Sequence, residues 1–459
     1  MDSIEKRQLI LEGKMPKLIF TLAFPIMINN LIQTLYNLGD SMWVGRLGEI
    51  EFAATSFVWP VIYVFISLGI GLGIAGNSLI SRAIGADNLK AANNYANHLM
   101  RISLIAGIAL AVIGFSLTKY IVQFMGATDE LYKFSVDYLK MSFLGVPFIF
   151  LFHVINAVLI SQGYTIISMI INGTSAMINL LLDPIFIFET VPILEISGLN
   201  LGIKGAAMAT VVSQFLSMFV GFLVVGLTKI SDIKFSIRNF KFSKKVAKRV
   251  FMTATPSAIG MSGSAFGFII MLSFIASYGT KTLAAFGMIN RITDLASMPA
   301  MGIGNSLTTI VGQNLGANKP KRVKNAFSTG MKISLAMTMT IGSLLFYFKQ
   351  DVFKIFLPNA DAEMLFQAVA YMKHSLVIIP AVGIFNILQG TFQGSGRTDI
   401  SMLMDIVRLW GFRIPIVLIL RALNFDSKAV WISMSLSNVF VAAMGYYIYK
   451  TKNWLKRYA

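Results

Sequence analysis

The chain has 459 residues, 56% of them hydrophobic and 13% charged, with a formal net charge of +18. A mean hydropathy of +0.70 and too little charge to cover a soluble surface exclude a water-soluble globular protein of this size. The absence of cysteine excludes disulfides, thiol chemistry and cysteine-based metal sites.

Apolar stretches long enough to cross about 30 Å of hydrocarbon recur along the chain. They read as helices, since a transmembrane β-barrel would show short alternating segments. The N-terminus is charged and the first apolar run is too long for a cleavable signal peptide, so that run is expected to be the first membrane helix. Twelve spans are predicted, at 18–44, 53–80, 99–118, 138–160, 166–188, 205–227, 251–277, 283–311, 328–348, 367–391, 399–420 and 429–449. With the N-terminus inside, twenty-five Lys and Arg fall on the inner side and eleven on the outer; Arg291, Arg408 and Arg413 lie within spans. That asymmetry predicts a multi-pass protein of the cell membrane with both termini cytoplasmic. The strongest basic cluster, KFSIRNFKFSKKVAKRV at 234–250, lies between two apolar runs and reads as a cytoplasmic loop, not as a nucleic-acid surface.

The chain repeats itself. ISRAIGADNLK (80–90) matches VGQNLGANKPK (311–321), with Gly85 and Ala86 paired to Gly316 and Ala317 at an offset of 231. The same offset of 231 pairs Pro25 with Pro256, Gly48 with Gly279 and Pro184 with Pro415, while Tyr138 and Pro147 pair with Tyr371 and Pro380 at 233. Two six-span halves of equal orientation, related by a pseudo-two-fold axis along the membrane normal, are a transporter architecture with the substrate between the halves. The expected fold is therefore an all-α polytopic membrane protein of twelve transmembrane helices in two related six-helix bundles. The expected organisation is an N-terminal lobe at 1–228, a basic cytoplasmic linker at 229–250 and a C-terminal lobe at 251–459.

Two acids break the apolar pattern: Asp40 in NLGDSMWVG and Asp183 in INLLLDPIFIF. Their repeat partners at 231, Met271 and Ile414, are apolar, so the fold itself does not require carboxylates there. Gln33, Tyr36 and Asn37 precede Asp40 on one helical face, and Asn172, Ser175 and Asn179 precede Asp183 in the same way. Counted at about 1.5 Å per residue, both acids reach the outer half of the bilayer. This suggests one shared site, with Asn156 and Tyr138 of the fourth span as further candidates. An ionised Asp at membrane depth costs roughly 2.5–3.5 kcal/mol and calls for a partner. A proton or Na+ held at Asp40 and Asp183 would supply one, and the residues do not choose between the two. The competing reading is that each acid caps a helix end or binds water. Pro25 interrupts the first helix, as a fixed bend or as a hinge. Asp405 and Arg408, and likewise Arg291 and Asp294, have the spacing of ion pairs within one helix. The histidines His98, His153 and His374 are not spaced for a metal, and no cofactor is implied.

On LAFPIMINNLIQTLYNLGDSMWVG, NSLISRAIGADNLKAA and its repeat, INLLLDPIFIF and RLWGFRIP (408–415), the whole chain resembles the multidrug and toxic compound extrusion (MATE) family. The resemblance implies a transporter, not an enzyme, that exports organic cations or other amphiphilic drugs by H+ or Na+ antiport and alternating access. Within the family the chain is similar to the DinF-like and archaeal branch. That similarity implies coupling roles for Asp40, Asp183, Asn179, Asn156 and Tyr138, and a bend at Pro25. The acids that the NorM-like branch carries on its seventh and tenth helices have no counterpart in TPSAIGMSGSAFGFIIML or SLVIIPAVGIFNILQG. The expected partners are a small amphiphilic drug and membrane lipid, with no nucleic acid, and the chain is expected to act as a monomer. A flippase for lipid or a lipid-linked precursor is the alternative; its phosphate would need cations, which within spans are confined to Arg291, Arg408 and Arg413.

Overall fold

Glycines in apolar helices let a second backbone approach closely, and this chain packs many of its helices on them. The computed structural model describes residues 3–192, 195–228, 230–235, 240–356 and 362–455. A short helix α1 (Ser3–Glu12) precedes α2 (Met15–Gly45), α3 (Glu49–Gly85), α4 (Leu89–Phe124), α5 (Asp129–Ser161), α6 (Thr165–Ile187) and α7 (Ile203–Leu227). Then come α8 (Lys244–Ala276), α9 (Thr280–Gly316), α10 (Pro320–Tyr347), a short α11 (Lys349–Phe356) and α12 (Ala362–Gly394). Next are α13 (Thr398–Ile406), a π-helical turn (Val407–Arg413), α14 (Ile414–Ala422), α15 (Lys428–Lys450) and a 3-10 turn (Asn453–Leu455). Among the described residues the only extended pairing is one isolated bridge between Thr190 and Ser197.

Among the described residues ten helices, α2–α8, α10, α12 and α15, are long and apolar enough to cross a membrane. The remaining two of the predicted twelve spans are α9, which carries Arg291 and Asp294, and the continuous run from α13 through the π turn to α14. The short helices α1 and α11 fall outside the predicted spans. The basic segment expected as a linker at 229–250 is helical from Lys244, where α8 starts. Lys229, Arg238, Lys456 and Arg457, counted above among the inner cations, lie outside the described residues.

The chain divides into two compact units: Met1–Arg7 with Ile28–Ala258, and Gln8–Met27 with Ile259–Ala459. These boundaries fall elsewhere than the lobe limits predicted at 228 and 251, because burial assigns the helices in part against chain order. In the first part of α2, Met15, Leu18, Ile19, Leu22 and Ala23 are buried in the core of the second unit beside Ile303 and Leu307. From residue 28 to residue 45 only Val44 is buried. The switch comes two residues past Pro25, and its partner in α8, at Ala258, comes two residues past Pro256.

Packing repeats along with sequence. In the second unit, a Cβ on Gly302 of α9 would stand 2.5 Å from Met27 Cγ and 3.1 Å from Ala23 O. In the first unit, a Cβ on Gly71 of α3 would stand 2.8 Å from Ala254 O and 2.9 Å from Ala258 Cβ. All three residues are related by the offset of 231. The turns after α3 and α9 also match. Asp87 and Asn318 take φ of +58° and +57°, a left-handed conformation that Asp and Asn tolerate better than most residues. Arg7 pairs with Asp87 at 3.0 Å in the first unit, and in the second Arg322 donates to the carbonyls of Ile10 at 3.2 Å and Gly13 at 2.6 Å.

In the second unit, Gly390 of α12 lies on the carbonyl of Gly304 in α9 with no room for a methyl group. Gly390→Ala should therefore lower thermal stability in detergent, overpacking of this kind costing about 1–3 kcal/mol. Gly226→Ala, where a methyl meets nothing within 4 Å, should leave it unchanged or slightly raised. Equal melting of the two variants would contradict the packing described.

Candidate functional site

In the first unit α2 lies along α6. Gly39 has no space for a Cβ beside Leu180, and at Gly173 a Cβ would stand 3.3 Å from Ile32 Cδ1. Both helices end shortly after their acid, α2 at Gly45 and α6 at Ile187. Asp183 is 0% exposed, and Asn179, one turn earlier, is 1% exposed. With its nitrogen toward the carboxylate, the Asn179 amide donates to Asp183 Oδ2 at 3.0 Å and accepts from the Thr210 N–H of α7 at 3.1 Å. The Thr210 hydroxyl donates to Ala206 O at 3.2 Å and acts on the Tyr36 phenol of α2.

The charge of Asp40 acts on Asp183, Tyr36 and Tyr138, and that of Asp183 acts on both tyrosines. The site therefore gathers two carboxylates, two phenols, one amide and one hydroxyl from α2, α5, α6 and α7. Asp40 Oδ1 is buried and has no donor. Beyond the acids, Val44, Ile187 and Ala206 form a small apolar core with Trp43, Tyr138 and Phe188 packed on it. Trp43 meets Phe188 edge-on at 6.2 Å between ring centres. This cover limits water at that end of the helices.

The other predicted residues are placed differently. Gln33 and Asn37 are exposed and hydrogen-bond each other at 3.3 Å. Ser175 turns to α7 and donates to Ser213 O at 3.0 Å. Asn172 donates to Ser168 O at 3.0 Å, and Asn156 accepts a short hydrogen bond from the Ser168 hydroxyl. Ser168 lies fifteen residues before Asp183, about 22 Å along the helix. The structure does not bring Asn156 to the acid pair; it forms a separate polar cluster with Ser168 and Asn172. That cluster has a twin in the second unit, where Ser401 donates to Gln389, each 233 residues on from its partner. The local sequences TIISM (165–169) and TDISM (398–402) share this offset.

Pro25 is buried within α2. The ion pair expected of Asp405 and Arg408 forms, at 3.9 Å. The one expected of Arg291 and Asp294 does not: Asn290 donates to Asp294 Oδ2 at 2.9 Å. Thr210 was missed from sequence. Its signal is the spacing of Thr210, Ser213 and Ser217, which puts three hydroxyls on one face of α7.

The MatE family model matches residues 25–185 and 256–419, one segment in each half, starting at Pro25 and Pro256. The chain belongs to the MatE family. It is 28% identical to the probable multidrug resistance protein YoeA of Bacillus subtilis, over 89% of this chain and 88% of that protein. It is 24% identical to the multidrug export protein MepA of Staphylococcus haemolyticus, over 97% of this chain and 95% of that protein. In fold it matches the crystal structure of MATE in complex with MaL6, with a TM-score of 0.90, 24% identity and 98% of both chains covered. MatE proteins are membrane transporters, not enzymes.

Asn179→Ala should cost about 1–3 kcal/mol in thermal unfolding, because it leaves the buried Asp183 carboxylate without its amide donor. The loss should shrink when Asp183 is already Asn. Equal losses in both backgrounds would show that the amide is not the partner of that carboxylate.

Proposed function

We propose that this MatE protein is a secondary multidrug exporter, carrying amphiphilic organic cations out of the cell in exchange for H+ or Na+ taken up at Asp40 and Asp183. One observation carries the proposal. Two interacting carboxylates are enclosed by helices of the first unit, and one oxygen, Asp40 Oδ1, is buried with no donor. An ionised carboxylate only accepts hydrogen bonds. At membrane depth a proton, or a hard cation held by carboxylate, amide and hydroxyl oxygens, removes the cost of leaving it unpaired. The apolar partners Met271 and Ile414 support a functional origin for the acids. The multidrug relatives support the solute class.

In this cycle the cavity opens outward, the ion enters at Asp40 and Asp183, and α2 rearranges beyond Pro25. Substrate leaves to the outside, the two halves rock, and the ion is released inward. The membrane potential contributes about 2.3 kcal/mol per charge per 100 mV. The scarcity of buried residues in α2 beyond Pro25, with only Val44 buried from 28 to 45, supports a hinge over a fixed bend. The asymmetry of Lys and Arg supports cytoplasmic termini in the cell membrane. Acids on α2 and α6, with none in the spans of α8 and α12, support a place in the DinF-like branch. The proposed working form is a monomer in lipid.

Asp40→Asn should abolish protection of cells against toxic cations while expression stays normal. In proteoliposomes, pH and Na+ gradients imposed separately should identify the ion, since only one should drive uptake of the drug. Full protection by the variant would remove the proposal.

A further inference from the structure

Which nitrogen of a histidine ring carries hydrogen follows from the partners of the two nitrogens. His98, near the start of α4, is 1% exposed. Its Nδ1 stands 2.8 Å from Asn94 O, which can only accept, so Nδ1 carries a hydrogen and donates. Its Nε2 accepts from the Ser243 N–H at 2.9 Å, so Nε2 carries none. Both partners are backbone groups with fixed roles, and together they admit only the neutral ring.

Ser243 belongs to the segment that joins the two halves of the chain. Its described parts, 230–235 and 240–243, lie in the first unit and are fastened to the ends of two helices. Gln162, at the end of α5, accepts from the Asp232 N–H at 3.1 Å and donates to Ser231 Oγ at 2.9 Å. On α4, Asn93 accepts from the Lys234 N–H at 2.8 Å and Asn97 donates to Lys234 O at 3.1 Å. His98 holds the far end, with the rings of Phe240 and Phe242 centred 4.6 and 5.7 Å from its own. Of these fastenings only the one at His98 depends on a group that changes charge. The repeat partner of His98 at 231 is Thr329, so the fold itself does not require an imidazole there.

None of the elements bonded to the ring offers it an anion: α4, residues 240–243 and α8 contain no Asp or Glu. Their charged and titratable groups near it are Tyr95 and Arg101, three residues to either side, Lys241 and Lys244 beside Ser243, and Arg249, which donates to the Tyr95 hydroxyl at 2.8 Å. The Arg101 guanidinium already covers the Phe240 ring at 3.6 Å. α3 and α5 also pack at this level, Gly76 lying against Leu99 and Ala157; the titratable residues nearest Gly76 and Ala157 on those helices are Arg82 and His153, again not acids. A hydrogen added to Nε2 would point at the N–H of Ser243 and remove the bond.

We infer that His98 is a pH-sensitive latch on the connector between the halves: neutral, it holds residues 240–243 on α4, and protonated, it releases them. Docking is complete where the ring is neutral and is lost as the pH falls. α8, the repeat partner of α2, begins at Lys244, so the latch acts on the residue before that helix. On the export reading this end faces the cytoplasm, and a carrier that admits protons would loosen its own connector as the cell interior acidifies. The inference rests on that reading only for the compartment whose pH is sensed.

The test uses the purified full-length protein in detergent micelles, where both faces meet the buffer. The chain has no cysteine, so Lys241→Cys, at an exposed position, can carry a single nitroxide whose mobility is read by electron paramagnetic resonance. From about pH 8 to about pH 5 the mobile fraction should rise several-fold. His98→Gln, whose amide oxygen can accept from the Ser243 N–H without titrating, should keep the label immobile throughout. His98→Arg, always charged, should leave it mobile throughout. A label equally mobile at both ends of the range in the otherwise wild-type chain, or the same rise in His98→Gln, overturns the inference. If the label in His98→Gln is mobile throughout, His98→Arg decides, and an immobile label there overturns the inference as well. No transport is measured, so failure of the export reading would leave the result unchanged.

Discussion

Asp183 holds its carboxylate where water is excluded, and three helices are tied together in meeting its need for a donor. The donor is Asn179, one turn earlier on α6, but an amide can be aimed only if its oxygen is held too. Thr210 of α7 holds it through its backbone N–H, and the Thr210 hydroxyl engages Tyr36 of α2. Such chains of hydrogen bonds strengthen one another where the surroundings are poorly polar. The two acids are consequently unequal. Asp183 is fixed by its own helix, whereas Asp40 keeps one buried oxygen open and sits on a helix with little else buried near it. In the proposed exchange, a site with one fixed and one open carboxylate would take up and release a small cation without being rebuilt each time.

The internal repeat separates what the fold needs from what this site needs. Features that recur are structural: the glycines at 71 and 302, the left-handed turn residues Asp87 and Asn318, and the change of compact unit after Pro25 and Pro256. The hydrogen bond of Ser168 to Asn156, repeated as Ser401 to Gln389, belongs with these. It joins the end of one helix to the start of the next in both units, which is why Asn156 is no member of the acid site. The chemistry, by contrast, does not recur. Tyr138 and Tyr371 keep their places, but the charges of Asp40 and Asp183 act on the first, whereas Met271 and Ile414 stand at the acids' positions in the second unit.

The acids, their polar faces and the twelve spans were legible because helical periodicity fixes which side chains share a face. Depth was less so. Asn172 and Ser175 share a face with Asp183 yet are bonded elsewhere, because eleven and eight residues of helix are about 16 and 12 Å. Contacts between helices were not legible at all, and Thr210 shows it: nothing in its own segment says which helices it will meet. The division of α2 was hidden because LIFTLAFPIMINN changes its neighbours without changing its polarity. Arg291 failed to pair with Asp294 because Asn290, a full turn before the acid, reached it instead. The π turn has no spacing rule, although Arg408, Trp410 and Gly411 interrupt an apolar run at that point.

Pro25 removes one backbone hydrogen bond from a helix of 31 residues, and the surroundings change two residues later. Before that point α2 is part of a core; after it only Val44 is buried. A segment with so few buried contacts is held weakly, and weakly held segments are the ones that move. Its counterpart α8 is built differently beyond Pro256. Gly260, Gly267, Met271 and Ile275 stay buried along one face, and the position of the acid is taken by Met271, 2% exposed. Of the two related helices, α2 alone joins a loosely buried half to a side chain whose charge an arriving ion would cancel. In the proposed exchange an ion at Asp40 would therefore act on the part of the paired helices that is cheapest to move, while α8 offers neither the charge nor the freedom.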